Sequence, residues 1–288
     1  YGNGEGIVDE LRFFNRALLD SEVYAEYLYS SNKYVNQQIS KPVSTGNVKL
    51  INKTLFVNNL PFLIKGVGYQ PIQIGKSAAS GDGINDTFSF LYNRDFPLIR
   101  NMGANTIRTW AKVSNISFLD AAYNNGINPL YVIMGYWINP FQNLSNPTVR
   151  SNILNDFSNY VNTYKDHPAV LMWALGNEIN LFYQGNLTSW FSLANEMAQL
   201  AYNIEGSLYH PTIIVNAHML YFGDIDYDSD DSSLNYIDVW GHNTYPGYEF
   251  NCYFDYYNII SSKPLILTEF GIDAYNSSLS NLSLASEY

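Results

Sequence analysis

Cysteine occurs once in this 288-residue chain, at Cys252, which excludes a disulfide framework and a cysteine-built metal centre. Flanked by the aromatic stretch 251–257, this lone thiol is expected in the core. No apolar run approaches the ~18 residues that read as a membrane span. Positive charge is scarce: 15 Lys and Arg against 26 Asp and Glu leave a net charge of -11. That balance argues against nucleic acid or an anionic membrane surface as partner. Charged residues of both signs make up only 14% of the chain, well below the usual quarter. Aromatic residues take up part of the difference at 16%, with 25 tyrosines. A weakly charged, ring-rich surface suits stacking on neutral sugars.

Residues 1–38 read apart from the rest. Gly6-Ile7-Val8-Asp9-Glu10-Leu11-Arg12-Phe13-Phe14 alternates like a strand, and Arg16-Ala17-Leu18-Leu19 leads toward a short helix with Asp20 or Ser21 as its N-cap. This piece resembles the last strand and closing helix of the concanavalin-A-like lectin/laminin-G sandwich domains. The resemblance implies that the chain is part of a larger multidomain protein. Residues 39–47 are a polar linker carrying Pro42 and Gly46. Residues 48–64 read as a hairpin with Asn58-Asn59 at its turn.

Beyond the hairpin, strands and helices alternate, as in an α/β domain. Strands are expected at 62–69, 105–111, 128–136, 169–175, 211–217, 236–241 and 264–268. Helices are expected at 94–102, 117–125, 148–165 and 189–204. Gly103, Gly126 and Gly206 stand where three of these helices stop. The expected architecture is a (β/α)8 TIM barrel over 48–288, with strand eight falling after Tyr288. An open doubly wound sheet would need a glycine-rich phosphate turn after its first strand. The stretch Gly66-Val67-Gly68-Tyr69-Gln70-Pro71 lacks the third glycine and the helix start, so the barrel is preferred.

In such a barrel the chemistry belongs at the carboxyl ends of the strands. The most telling stretch is Ala169-Val170-Leu171-Met172-Trp173-Ala174-Leu175-Gly176-Asn177-Glu178, an apolar run that breaks into a polar tip. A strand buried on both faces reads this way until it emerges. The plan recurs at Pro264-Leu265-Ile266-Leu267-Thr268-Glu269. Other strand ends offer Arg108, Thr109 and Trp110; Tyr136 and Trp137; Asn216 and His218; and His242, Asn243 and Tyr245. Two carboxylates facing one another across a barrel mouth are what hydrolysis of a glycoside needs: one protonates the leaving oxygen and the other acts from the opposite side.

From residue 48 onward the chain resembles the clan A retaining glycoside hydrolases. His167-Pro168-Ala169-Val170, running on to Trp173-Ala174-Leu175-Gly176-Asn177-Glu178, is similar to the family 2 enzymes. The segments 62–71 and Gly103-Ala104-Asn105-Thr106-Ile107-Arg108 resemble family 2 and equally the family 72 β-1,3-glucanosyltransferases, as does Asn243-Thr244-Tyr245. The resemblance implies Glu178 as acid/base and Glu269 as nucleophile. It implies Asn177 on the sugar's 2-hydroxyl, Arg108 beneath Glu269, and Tyr245 orienting Glu269 from the other side. Trp137, with Tyr136 and Tyr183, would floor sugar subsites, and His242 and His218 would add polar contacts. Only a short hairpin precedes the barrel, where family 2 has β-sandwich domains. An endo-acting β-glycanase or a transglycosylase therefore stays open, as does a glycan-binding surface protein built on such a barrel.

No cofactor or metal is required by this chemistry. Asp224, Asp226 and Asp228 begin like an EF-hand loop, but Ser229 stands where that loop needs Gly and Asn235 where it needs Glu. A solvated acidic loop is expected instead. Seven Asn-x-Ser/Thr sequons, at Asn52, Asn85, Asn115, Asn143, Asn186, Asn276 and Asn281, favour an extracellular or cell-surface glycoprotein.

Overall fold

The computed structural model describes residues 41–71, 89–246 and 249–271. The lectin-like reading of 1–38 lies outside them. Three short strands, β1 (Val48–Ile51), β2 (Thr54–Val57) and β3 (Leu60–Pro61), form an antiparallel meander. It has two tight turns rather than the single one expected. Asn52-Lys53 and Asn58-Asn59 both carry positive φ at consecutive residues (48° and 65°; 52° and 65°), the backbone of a hairpin turn that follows strand twist. Asparagine tolerates that conformation, which makes Asn58-Asn59 readable. Lysine does not advertise it, so the first turn escapes the sequence pattern.

Seven parallel strands follow: β4 (Gly66–Gly68), β5 (Thr106–Arg108), β6 (Tyr131–Tyr136), β7 (Val170–Leu175), β8 (Thr212–Ala217), β9 (Val239–Thr244) and β10 (Leu265–Phe270). Each pairs with its sequence neighbour, in the order β4 to β10, and the sheet curls into a nearly closed barrel of the TIM type. The strand at 236–241 is displaced: it starts at Val239 and runs on through the buried polar residues His242, Asn243 and Thr244.

The connecting helices are α1 (Ser89–Asn101), α2 (Ile116–Tyr123), α3 (Pro147–Tyr164), α4 (Ile179–Phe182), α5 (Leu187–Glu205) and α6 (Tyr253–Ile260). Asparagine starts three of them. Asn115, Asn146 and Asn186 accept from the backbone N–H of Ser117, Thr148 and Thr188 at 2.7, 2.9 and 3.0 Å, satisfying donors that the helix leaves open. Pro147 occupies the first turn of α3, where no N–H is needed.

Alternation along the strands creates two cores. Toward the helices, Phe157, Trp173, Trp190, Phe191, Ile214 and Trp240 are completely buried. On the other face Ile133, Leu171, Met172, Ala174, Ile213, Val215 and Val239 fill the barrel, and Val48, Leu55 and Val57 of the meander join them. Each large side chain fully buried in this way contributes about 1.5–3 kcal/mol.

The 39–47 linker is docked where it is described. Lys41 Nζ lies 2.8 Å from Asp238 Oδ2 and donates to the Tyr236 carbonyl at 2.7 Å. Its ammonium sits 4.8 Å from the centre of the Tyr209 ring, with the Tyr202 and Tyr236 rings at 5.7 and 6.0 Å. Thr45 N–H donates to the Ser207 carbonyl at 2.7 Å, and Tyr209 OH to the Pro42 carbonyl at 3.0 Å. All of these partners precede β8 or β9, at the amino ends of the strands.

Cys252 departs from expectation. It is exposed, at the N-cap of α6, because that helix buries Tyr257 and Ile260 instead.

Candidate active site at the carboxyl ends of the strands

The opposite end of the barrel gathers a connected set of polar side chains. Arg108, the last residue of β5, is only 4% exposed. Its Nη1 donates to Glu269 Oε1 at 2.9 Å, and its Nη2 donates to Asn177 Oδ1. The guanidinium therefore bridges the ends of β10 and β7. Burial lowers its pKa from the usual value, while the hydrogen bond and charge of Glu269 oppose that effect. An arginine stays charged regardless, and the ion pair holds the Glu269 carboxylate at the mouth.

Tyr245, just past β9, donates to Glu269 Oε2 at 2.8 Å. Burial, then the hydrogen bond to Glu269, pushes its phenol up to about 12, so it keeps its proton and serves as a donor. Trp110 adds a further contact, from Nε1 to Glu269 Oε1 at 2.9 Å.

Glu178 gets its place from backbone geometry. It adopts the left-handed conformation (φ 54°, ψ 29°) two residues after Gly176, itself at φ 65°. For a residue with a Cβ this costs about 1–2 kcal/mol. The turn is pinned because Glu178 N–H donates to the Val215 carbonyl at 2.9 Å, while its own carbonyl accepts from Leu181 N–H at 3.0 Å. Gly176 has no alternative: a Cβ there would stand 2.7 Å from the Trp190 ring.

Asn243 joins the two halves. Its Nδ2 lies 3.2 Å from Asn177 Oδ1 and 3.1 Å from Glu178 Oε1, and its Oδ1 accepts from Thr268 Oγ1 at 2.8 Å. A continuous path thus runs from Glu269 through Arg108, Asn177 and Asn243 to Glu178. Asn243 is completely buried, and as a polar strand end it carried no assigned part in the sequence reading. Gln70 is another unforeseen member. Its Oε1 accepts from the N–H groups of both Trp110 and Ala111 at 3.3 Å. A cavity of about 1140 Å³ runs beside this cluster, between the edges of β4 and β10, with Arg108, Trp110, Tyr245 and Glu269 in its wall.

Of the residues singled out from sequence, Glu178, Glu269, Asn177, Arg108 and Tyr245 come together in this cluster. Trp137 and His218 stand exposed at the rim, outside the hydrogen-bonded path. His218 is tied to it only by its backbone N–H, which donates to the Asn243 carbonyl at 2.8 Å.

His242 is a correction. Its ring points away from the mouth into the aromatic layer behind the sheet. Its Nδ1 is 2.7 Å from Tyr253 OH, and the Phe222 ring is 4.9 Å away, edge to face. The cause is strand alternation: Asn243 faces the site, so its neighbour must face the helices. Tyr136 faces the same layer, packing on Phe157 and donating to Asp156 at 2.6 Å. Tyr183 is likewise buried.

Among the described residues no group of three or more His, Cys, Asp or Glu side chains could hold a metal ion. In the acidic loop, Asp230 accepts from Ser232 and Ser233, and Asp231 from Ser261 and Ser262. The first carboxylate shapes a turn and the second ties the loop to the end of α6. No helix of the described residues is long and apolar enough to cross a membrane.

The model for the TIM barrel domain of glycosyl hydrolases family 2 matches residues 48–284. The chain belongs to that family. Among curated relatives, β-glucuronidases of Mus musculus and Rattus norvegicus are each 24% identical to it, across 86% of this chain and 38% of theirs. This chain thus spans under two fifths of those relatives' length. Solved structures share the fold. A β-galacturonidase from Eisenbergiella tayi bound to galacturonate superposes with a TM-score of 0.59 at 20% identity, covering 80% of this chain and 39% of that one. A β-glucuronidase from Bifidobacterium dentium gives 0.61 at 21%, covering 83% and 37%.

Proposed function

We propose that this barrel is the catalytic domain of a retaining β-glycosidase. The observation that carries the proposal is the single hydrogen-bonded path linking Glu178 and Glu269 across the barrel mouth. Glu178 protonates the glycosidic oxygen while Glu269 attacks the anomeric carbon. The resulting glycosyl ester is then hydrolysed by water that Glu178 deprotonates. Arg108 and Tyr245 hold Glu269 on its two oxygens. With its Oδ1 taken by Arg108 and Asn243, Asn177 turns its amide N–H groups to the sugar's 2-hydroxyl, a contact that tightens toward the transition state. The relatives act on uronides by name, so glucuronides and galacturonides belong beside neutral β-glycosides in the first substrate panel.

A 2-deoxy-2-fluoro-β-glycosyl fluoride tests the reading. Mass spectrometry is expected to find the sugar on the peptide containing Glu269. Absence of labelling, together with no turnover of any aryl β-glycoside and no effect of Glu178→Gln, overturns it in favour of a glycan-binding surface protein on the same barrel. Transfer to a sugar acceptor instead of water would make the protein a transglycosylase. Placement outside the cell, with a lectin-like domain ending in 1–38, is part of the same proposal. It is supported by the exposed sequon residues Asn52, Asn143 and Asn186.

A further inference from the structure

The two oxygens of Glu269 are not equivalent. A carboxylate has about four lone-pair sites, two on each oxygen. Oε1 accepts two hydrogen bonds, from Arg108 Nη1 and Trp110 Nε1, each at 2.9 Å. Oε2 accepts one, from Tyr245 OH at 2.8 Å. Trp110 is 37% exposed, so it is not held by core packing. It is placed by its backbone: Gln70 Oε1 receives its N–H, and the Thr109–Trp110 carbonyls press against the bare Cα of Gly135. The indole N–H is therefore aimed at Glu269 by the end of β5 and by Gln70.

We propose that Trp110 is a positioning residue for Glu269, which saturates Oε1 and leaves Oε2 as the oxygen that bonds the sugar. This rests on the glycosidase reading above. In the first step an Oε2 lone pair forms the bond to the anomeric carbon. The bond to the leaving oxygen breaks, and that oxygen takes the proton of Glu178. Oε1 becomes the ester carbonyl and keeps Arg108 and Trp110 as donors. In the second step water bonds to the anomeric carbon, its proton passes to Glu178, and the electron pair of the sugar–Oε2 bond returns to Glu269. An ester carbonyl accepts more weakly than a carboxylate. The Trp110 bond therefore strengthens as the carboxylate is released, and its main effect falls on the second step.

The test uses the full chain, with Trp110→Phe and Glu269→Gln. In ¹H–¹⁵N spectra, the indole resonance missing from Trp110→Phe is expected at the downfield position of an N–H that donates to a carboxylate. In Glu269→Gln it should move upfield, because a neutral amide oxygen accepts more weakly than a carboxylate. With a 2,4-dinitrophenyl β-glycoside, Trp110→Phe is expected to lower kcat about tenfold and to lower KM with it, because the glycosyl ester accumulates. Its unfolding midpoint should not change.

An indole resonance indifferent to Glu269 overturns the proposal. A raised KM with unchanged kcat also overturns it, by making Trp110 a sugar platform. The spectra decide the Trp110–Glu269 contact whether or not the protein turns over glycosides. An indole shift that depends on Glu269, in a wild-type chain without turnover, therefore defeats the glycosidase reading, and Oε2 attack with it, while the contact stands.

Discussion

Thr268 decides which way the Asn243 amide faces. Its hydroxyl donates to Asn243 Oδ1 at 2.8 Å, which turns Nδ2 toward Glu178 Oε1 at 3.1 Å. One hydroxyl on β10 thus orients a donor that serves a carboxylate on the far side of the mouth. Thr268→Val keeps the shape and removes the donor. We expect kcat/KM to fall roughly five- to tenfold, in line with about 1 kcal/mol for one hydrogen bond, with Thr268→Ser close to wild type. Steady-state kinetics on any turned-over aryl glycoside provide the measurement.

Azide separates the two carboxylates. Removing either Glu178 or Glu269 as alanine should reduce turnover by about 10³-fold or more. In Glu178→Ala, azide replaces water at the glycosyl ester, giving the β-glycosyl azide. In Glu269→Ala, azide enters from the nucleophile's side and gives the α-glycosyl azide. Product anomers are read by NMR, and the reverse assignment would exchange the roles of the two residues.

Gly135 is a packing requirement. A Cβ there would lie 2.0 Å from the Thr109 carbonyl oxygen and 2.6 Å from that of Trp110. Both are backbone atoms of the segment that carries Arg108 and Trp110. Gly135→Ala should therefore destabilise the fold by about 1–3 kcal/mol, read from the urea midpoint. It should also depress activity beyond what stability explains, because the end of β5 is displaced.

His242 makes stability depend on acid. Burial, and to a smaller extent the charge of His218, lowers its pKa from 6.5 to about 3. An unfolded chain binds a proton on this residue below its ordinary pKa, and the native protein does not. The contribution is whole above pH 6.5 and is lost as pH falls toward 3, at about 1.4 kcal/mol per unit. Between pH 7 and pH 5 wild type should lose about 2 kcal/mol that a non-titrating His242→Gln variant does not. Urea unfolding of both proteins at the two pH values checks the sign and the size.

What the sequence makes legible follows from burial. Glu178 and Glu269 announce themselves because a strand covered on both faces stays apolar until it emerges. Arg108 closes β5 and Tyr245 stands one residue past β9. The register of β9 is hidden because His242, Asn243 and Thr244 are polar and completely interior. Their partners, Tyr253 and Thr268, come from elsewhere in the chain, so composition marks an early strand end that tertiary contacts override. Alternation could have separated Asn243 from His242, but only once that register is known. Trp110 was visible as a strand-end residue. Its aim at Glu269 was not, since that depends on Gln70 and on a missing side chain at Gly135. Cys252 looked internal because of its aromatic neighbours, yet the helix they form turns it outward.

Lys41 is fastened at the amino ends of β8 and β9, the pole opposite Glu178 and Glu269. A load applied through the peptide ahead of Lys41 is borne by Asp238 and the tyrosine rings of that floor, before any strand is strained. An attachment made at residue 41 therefore sits at one pole of the barrel and leaves the rim that carries Glu178 and Glu269 turned to the liquid. A long polymer could then thread across that rim without meeting its own anchor.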